Sequence, residues 1–128
     1  MAKKLLLDTD VLVDYLRGYP PAVEYLESRQ EELTTSAIVV AELYADVRED
    51  KERTALHTLI STFEVTSIDM GLAERGGLLR RDFAPKHGTG LADALIAATA
   101  QQTGAELVTL NAKHFPMLRN VTVPYKKS

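Results

Sequence analysis

The sequence predicts an α/β fold: a three-layer α/β/α sandwich around a short, mainly parallel central sheet. Short runs of apolar and β-branched residues alternate along the chain with longer segments whose apolar residues recur at helical spacing. This alternation is typical of a parallel sheet that is covered by helices on both faces. Right-handed crossovers then bring the loops that follow the strands to one edge of the sheet, where ligands bind in such folds.

Size and composition narrow the class of protein. The 128 residues are expected to form one domain, spanning 1–128, and the absence of cysteine excludes disulfides and thiolate metal sites. No apolar run is long enough to span a membrane and no signal peptide is evident, so a cytoplasmic location without a membrane partner is expected. A net charge of -3 does not by itself indicate nucleic-acid binding. Divalent cations held by clustered acids would nevertheless cancel that charge where a phosphate lies.

The opening stretch places an acid where a strand meets a helix. Leu5–Leu7 is apolar and too short for a helix, which predicts a buried strand. Helical spacing begins with Val11 and Leu12, so Asp8 lies at the carboxyl end of that strand. A helix N-cap explains Asp8 taken alone. Asp8 and Asp10 together are more than one cap requires.

The middle of the chain continues the alternation. The predicted elements are a helix from Pro20–Pro21 to about Ser28–Arg29, a strand at Leu33–Thr35, a helix from Ala37 to about Arg48, a charged connection at Glu49–Arg53, a helix at Thr54–Thr62, a strand at Phe63–Thr66 and a helix opened by Ser67 or Asp69. Gly76 and Gly77 lie inside this last helix, where each glycine costs roughly 1 kcal/mol relative to alanine. Their presence indicates close packing or a kink.

Glu42 lies on the flank of the apolar stripe of the helix that begins at Ala37. It is three residues from Val39 and four from Ile38, so it shares part of their face. A glutamate in such a position is uncommon without a partner. The sequence leaves two interpretations open: a functional carboxylate, or a side chain that reaches solvent at the edge of the stripe.

Asp93 is the least ambiguous acid of the chain. After a predicted loop at Pro85–Gly90, the segment Leu91–Ala100 is apolar nearly all round, which is typical of a helix buried in the core. Asp93 is its one ionisable residue and lies in the first turn, where the helix dipole favours a carboxylate by about 0.3–1 kcal/mol. Burying an unpaired charge costs several kcal/mol. Asp93 therefore requires a cation or a water-lined cleft.

The last part of the chain returns to the sheet. The predicted elements are a helix end at Thr103–Gly104, a strand at Glu106–Leu110, a turn at Asn111–Pro116, a strand at Val121–Val123 and a frayed basic tail. The turn after Glu106–Leu110 is expected to join Asp8 at one sheet edge, which Glu42 and Asp93 can also reach. Three carboxylates with no cysteine and little histidine suit hard cations such as Mg²⁺ or Mn²⁺. Such a site clamps a phosphodiester and activates a water.

Three segments carry a resemblance to a known family: LLLDTDVLVDYLRG, TTSAIVVAELYAD and GLADALIAATAQQTGAELVTLNAKHFP. In this order, and over nearly the whole chain, they resemble the PIN-domain ribonucleases, and more closely the VapC toxins of toxin–antitoxin pairs. The resemblance implies a PIN-like fold and an endoribonuclease that cuts structured RNA, such as transfer or ribosomal RNA, by attack of a metal-activated water. It also implies a homodimer that a cognate VapB-like antitoxin inhibits.

The same resemblance assigns roles to individual residues. It implies that Asp8, Glu42 and Asp93 are the catalytic acids and bind Mg²⁺ or Mn²⁺. A fourth acid often occurs in the family's turn after the Thr109 strand, but here Asn111 stands there, and it would ligate through its carbonyl oxygen or hold a metal-bound water. The residues expected to support these ligands are Thr109, Ser36 and Asp10.

Two other functions fit parts of the sequence. The tetrapeptide from Asp8 to Val11 also resembles the opening motif of haloacid-dehalogenase-type phosphatases, in which Asp8 would be a nucleophile and Asp10 an acid/base. The later lysine and paired aspartates of that family are not evident, and the chain is short for its fold. The other alternative is a non-catalytic binding module whose acids only cap helices. Simpler roles, as caps, surface or turn residues, also remain open for Asp10, Asp14, Ser36 and His114.

Overall fold

A parallel sheet forms the centre of the computed structural model, which describes residues 3–127. Its strands are β1 (Lys4–Leu7), β2 (Glu32–Ser36), β3 (Glu64–Thr66), β4 (Glu106–Val108) and β5 (Val121–Thr122). They pair in the order β3-β2-β1-β4-β5, and every pairing is parallel. The predicted α/β class with a short parallel sheet is confirmed.

The helices connect these strands. They are α1 (Thr9–Leu16), α2 (Pro20–Glu27), α3 (Ala37–Ala45), α4 (Lys51–Ser61), α5 (Met70–His87) and α6 (Leu91–Thr103), with a 3₁₀ turn at Ala112–His114. The prediction for α6 is confirmed, because most of its length from Ala94 to Ala100 is buried. Parallel strands need long connections, and here helices form them.

The strand order contains one reversal, and it lies beside β1. The chain moves outward from β1 through β2 to β3, then returns to place β4 on the other side of β1. Because the crossovers are right-handed, the helices of the two halves cover opposite faces of the sheet. The carboxyl ends of β1 and β4 thus flank a topological switch point, which is where open α/β sheets bind ligands. Asp8 and Thr109 follow these two strands directly.

Several predicted boundaries were wrong by a few residues. The helix predicted to about Arg48 ends at Ala45, and α4 begins at Lys51, inside the segment predicted as a connection at Glu49–Arg53. Glu52, in the first turn of α4, accepts a hydrogen bond from the Arg48 N–H at 3.0 Å, which ties the preceding connection to the helix. The charged run at Glu49–Arg53 is therefore divided between a connection and a helix start.

The predicted loop at Pro85–Gly90 was also wrong in its first half. Helix α5 continues through Pro85 to His87 and ends at Gly88, whose φ of 66° is left-handed. The Gly88 N–H donates to the Ala84 carbonyl at 2.8 Å. A glycine cap thus ends the helix, and Pro85 lies within it and leaves the Arg81 carbonyl without an i→i−4 donor.

The strand predicted at Glu106–Leu110 stops at Val108, because the next residues turn toward the switch point. The Thr109 N–H still donates to the Thr122 carbonyl at 3.0 Å, but the Leu110 N–H donates to Asp10 at 3.0 Å. Strand β5 likewise ends at Thr122, one residue before its predicted end. The backbone after β4 is therefore held by a side chain of α1 and not by a neighbouring strand.

The C-terminal segment is docked and not frayed, which corrects the prediction. The Tyr125 hydroxyl donates to Asp14 at 2.8 Å, and the Lys127 ammonium donates to the other oxygen of Asp14 at 2.7 Å. The Tyr125 ring lies against Tyr19 with ring centroids 5.6 Å apart. Asp14 is consequently buried, and its partners lie more than 100 residues away in sequence.

Gly76 and Gly77 provide a matched pair for a stability prediction. A Cβ at Gly76 would lie 2.4 Å from Leu95 Cδ2 and 3.3 Å from the Leu95 Cα, whereas a Cβ at Gly77 would meet nothing within 4 Å. We expect Gly77→Ala to stabilise the protein by about 0.5–1 kcal/mol through helix propensity. Gly76→Ala should cost about 1–3 kcal/mol through overpacking, reduced by the same propensity gain. Urea unfolding of both variants measures the difference, and equal stabilities would contradict close packing of α5 on α6.

Within residues 3–127, no helix combines the length and the apolar character that crossing a bilayer requires.

Candidate active site

Asp8 lies at the switch point because β1 ends there and α1 begins. It is the N-cap of α1, and its Oδ1 accepts a hydrogen bond from the Thr9 N–H at 2.7 Å. Its Oδ2 accepts one from the Thr109 hydroxyl at 2.7 Å, which joins the ends of β1 and β4. The capping interpretation is therefore correct, but it uses only one of the two carboxylate oxygens.

The surroundings of Asp8 disfavour its charge. Burial, and to a smaller extent the nearby Asp10 and Asp93 carboxylates, raise the pKa of Asp8, the hydrogen bonds from Thr109 and Thr9 lower it, and the net pKa is about 7. The side chain is only 7% exposed. A carboxylate that is buried, close to like charges and poised near neutral pH is typical of a functional site.

Asp93 faces the same region from the first turn of α6. Its side chain is 30% exposed, and one of its oxygens lies 3.5 Å from Nδ1 of His114. Burial raises the pKa of Asp93, His114 lowers it, and the Glu42 and Asp10 carboxylates raise it. Asp93 is thus half-buried beside other acids, and the cation that its place in an apolar helix predicts stays a prediction.

Glu42 reaches this region from α3 and is half-buried. Its Oε1 accepts a hydrogen bond from the Thr9 hydroxyl at 2.6 Å. Thr9 therefore links two of the predicted acids, because its own backbone N–H donates to Asp8. The sequence analysis did not single out Thr9. Its position between two acids at a strand end was the available signal.

Asp10 organises the turn after β4. Its Oδ1 accepts from the Val11 N–H at 2.7 Å, whereas its Oδ2 accepts from the Leu110 N–H at 3.0 Å and from the Asn111 side-chain amide at 3.1 Å. The Thr109 hydroxyl lies 3.3 Å from the same Oδ2. Asp10 thus holds the backbone and side chains of the turn that carries Thr109, and its supporting role at a metal site stays a prediction.

Asn111 and Ser36 lie farther from the centre of the cluster. Asn111 is exposed and its amide nitrogen points to Asp10. Ser36 is the buried N-cap of α3, and its oxygen lies 3.5 Å from the Thr99 hydroxyl of α6. Ser36 therefore joins the two helices that carry Glu42 and Asp93. The expectation that Asn111 binds a metal stays a prediction.

The acids share one edge of the sheet without enclosing a common point. Across residues 3–127, no three acidic or histidine side chains are grouped closely enough to surround a metal ion. Asp8 accepts from the Thr109 hydroxyl and Glu42 from the Thr9 hydroxyl, whereas Asp93 lies 3.5 Å from His114. This dispersion is what mutual repulsion between like charges produces. The donor set nevertheless consists of carboxylate oxygens, which suit Mg²⁺ or Mn²⁺.

Comparisons with known proteins show which family the chain resembles. The family model for the PIN domain matches residues 5–119. Ribonuclease VapC19 of Mycobacterium tuberculosis is 40% identical, and the alignment covers 94% of this chain and 98% of that protein. Ribonuclease VapC10 of the same species is 36% identical over 94% of this chain and 92% of that protein. A chain of a toxin–antitoxin complex from Klebsiella pneumoniae aligns with a TM-score of 0.82 at 31% identity, covering 96% of this chain and 99% of that one.

Proposed function

Because the chain belongs to the PIN-domain family, and is similar over nearly all its length to VapC ribonucleases, we propose that it is a metal-dependent endoribonuclease with Asp8, Glu42 and Asp93 as its ligands. The observation that carries the proposal is the position of Asp8. It is a buried carboxylate with a pKa raised to about 7 beside Asp10 and Asp93, at the switch point of a parallel sheet. A divalent cation is the partner that would make this arrangement favourable.

The carboxylate oxygens of these residues are the donor type that such an ion prefers. When bound, Mg²⁺ or Mn²⁺ supplies a Lewis acid that polarises a phosphoryl oxygen and lowers the pKa of a water. The chain's own part is to orient the acids: Thr109 holds one oxygen of Asp8, and Thr9 holds one oxygen of Glu42. Asp93 is the more exposed neighbour of the buried Asp8, with 30% of its side chain accessible, so a phosphodiester would approach from its side.

The proposed biological role follows from the relatives. The similar chain from Klebsiella pneumoniae belongs to a toxin–antitoxin complex, which supports a toxin that a VapB-like antitoxin inhibits. We propose structured RNA, such as transfer or ribosomal RNA, as the substrate, a homodimer as the assembly and the cytoplasm as the location. Induction of the chain in a bacterial host, followed by sequencing of the new RNA 5′ ends, would identify the RNA that is cut.

The direct test is cleavage of RNA by the purified protein. We expect the protein to cleave total transfer and ribosomal RNA in Mn²⁺ or Mg²⁺. Cleavage should stop in excess EDTA and return when the cation is restored. The reason is that the acids provide no cationic group of their own for the phosphate. Ca²⁺ is the control cation, because it also binds oxygen ligands but with a less demanding geometry than Mg²⁺. Cleavage that continues undiminished in EDTA would contradict a metal-dependent mechanism.

The phosphatase alternative is disfavoured by the contacts of Asp10. Its Oδ2 already accepts hydrogen bonds from the Leu110 N–H and the Asn111 amide, so it is engaged in structure and not free to transfer a proton. We expect Asp10→Asn to lower RNA cleavage by about 10- to 100-fold, the usual effect of losing a residue that orients a ligand. Steady-state cleavage rates test this. Complete loss of activity together with a measurable phosphatase activity in the unsubstituted protein would favour the alternative.

A further inference from the structure

A pocket beside the acidic cluster is not used by the function proposed above. It has a volume of about 500 Å³, within the range of about 300–1,000 Å³ that small ligands occupy. Its lining residues are Asp10, Leu110, Asn111, Val123, Tyr125, Lys126 and Lys127. The pocket is thus formed by the turn after β4 and by the docked C-terminal segment.

The pocket is adjacent to one of the proposed catalytic acids. Asp10 lines it, and the buried Thr109 hydroxyl lies between Asp10 and Asp8, 3.3 Å from the first and 2.7 Å from the second. An RNA chain whose scissile phosphate is at the acids extends past them in both directions. The pocket is therefore in a position to meet a neighbouring nucleotide.

The chemistry of the pocket suits a nucleotide. Val123 is an apolar side chain that is 43% exposed, and with Leu110 it offers an apolar wall for the face of a base. Asn111 also lines the pocket, and its amide nitrogen donates to Asp10, so its side-chain oxygen is not used in that contact. Lys126 provides a positive charge for a phosphate.

The two lysines of the pocket differ in whether they form an ion pair. Lys127 pairs with Asp14 at 2.7 Å and lies 5.0 Å from the centre of the Tyr19 ring, so its role is to anchor the segment. Lys126 is exposed, and none of the ion pairs formed within residues 3–127 involves it. The anchor therefore fixes the backbone next to a cation that remains available for a ligand.

We propose that this pocket binds the nucleotide next to the scissile phosphate in a single-stranded or looped RNA segment, with Lys126 contacting its phosphate. The proposal rests on the nuclease function argued above. An unpaired segment is required because only an unstacked base can leave its neighbours and lie against the Val123 wall. RNA is favoured over a protein partner because the pocket lies beside the acids and pairs a free cation with an apolar wall.

Binding provides a test that does not depend on cleavage. The Asp8→Asn chain is titrated with a fluorescently labelled single-stranded RNA oligonucleotide, alone and with Lys126→Ala added. We expect Lys126→Ala to weaken binding by roughly 3- to 10-fold at low salt and to reduce the slope of log affinity against log salt by about 0.7. Lys126→Arg should restore both values, since it keeps the charge.

Lys51→Ala is the matched control, because Lys51 is an exposed lysine at the start of α4 and does not line the pocket. It removes the same charge from the protein and should leave affinity within about twofold of its parent. A fully paired RNA duplex should lose less affinity on Lys126→Ala than the single strand does. An equal loss in Lys51→Ala, or an equal loss for the duplex, would overturn the nucleotide pocket.

Cleavage distinguishes this inference from the proposed function. In the otherwise unsubstituted protein, Lys126→Ala should raise KM by roughly 3- to 10-fold and leave kcat nearly unchanged, because it removes uniform binding. Failure of the unsubstituted protein to cut any RNA would contradict the nuclease function, whereas active cleavage with an unchanged KM in Lys126→Ala would contradict only the pocket. If the antitoxin no longer inhibits Lys126→Ala while the KM of that variant is normal, the pocket belongs to the antitoxin and the proposal is overturned.

Discussion

Asp8→Asn, Glu42→Gln and Asp93→Asn should each lower kcat/KM for RNA cleavage by roughly 100- to 1,000-fold or more, the usual loss when one group that stabilises transition-state charge is removed. Each substitution is isosteric and removes a charge while keeping an acceptor oxygen. The hydrogen bonds from the Thr9 N–H to residue 8 and from the Thr9 hydroxyl to residue 42 can therefore persist. Lost activity would then reflect lost charge and not a lost fold.

Asp82→Asn is the matched control for these variants. Asp82 is an exposed acid on α5 whose side chain pairs with Arg81, and it has no contact with the cleft. Its substitution should leave kcat/KM within about twofold, as exposed pairs of this kind contribute little. Thermal unfolding of every variant verifies that it is folded. Retention of more than a tenth of the activity by Asp8→Asn or Asp93→Asn would remove that residue from the proposed ligand set.

Local sequence patterns predicted two of the three acids with a physical reason. Asp8 follows a short apolar strand and precedes a helix, and Asp93 is the one charge in a helix that is apolar nearly all round. Both arguments use only neighbouring residues, and the structure places both acids at the predicted edge. Glu42 was more ambiguous, because a residue on the flank of a stripe can face either way. Its contact with Thr9 depends on how α1 and α3 pack, which no local pattern specifies.

The features that sequence analysis missed depend on distant residues. Asp14 was considered a surface or cap residue, yet it is buried beneath Tyr125 and Lys127. Nothing near Asp14 in the sequence indicates a partner from the C-terminal segment, which was predicted to fray. Pro85 misled for another reason: a proline usually marks a helix end, but the glycine cap at Gly88 determines the end of α5. The contacts of Asp14 with the C-terminal segment, and the choice between Pro85 and Gly88 as the end of α5, were both decided by tertiary structure.

The metal-free protein should lose stability as the pH rises from about 4 to about 7. Asp8 ionises with a pKa of about 3.9 in the unfolded chain, whereas its folded-state pKa is about 7, raised by burial and to a smaller extent by Asp10 and Asp93. A raised pKa means that the folded state binds the proton more tightly. The resulting stability is fully present below the unfolded value and disappears as the pH passes the folded value.

The size of this effect follows from the shift. A difference of about three pKa units corresponds to about 4 kcal/mol at 1.36 kcal/mol per unit, as an upper estimate for one group. Urea unfolding in EDTA between pH 4 and pH 8 measures it. Asp8→Asn carries no titrating proton at this position and should flatten the profile by a similar amount, whereas Asp82→Asn should leave it unchanged. A profile with the same slope in Asp8→Asn would contradict a raised pKa at Asp8.

A divalent cation should reverse the loss, and this connects the stability of the fold to its activity. Ions bind the deprotonated carboxylates and therefore stabilise the folded state most above pH 7, where Asp8 is charged. Saturation at 100 times the dissociation constant would add about 2.7 kcal/mol. Thermal unfolding at pH 8 should consequently shift upward in Mn²⁺ for the unsubstituted protein and much less for Asp8→Asn or Asp93→Asn. If the acids only capped helices, the cation would shift all three proteins equally, because the native state would offer it no site.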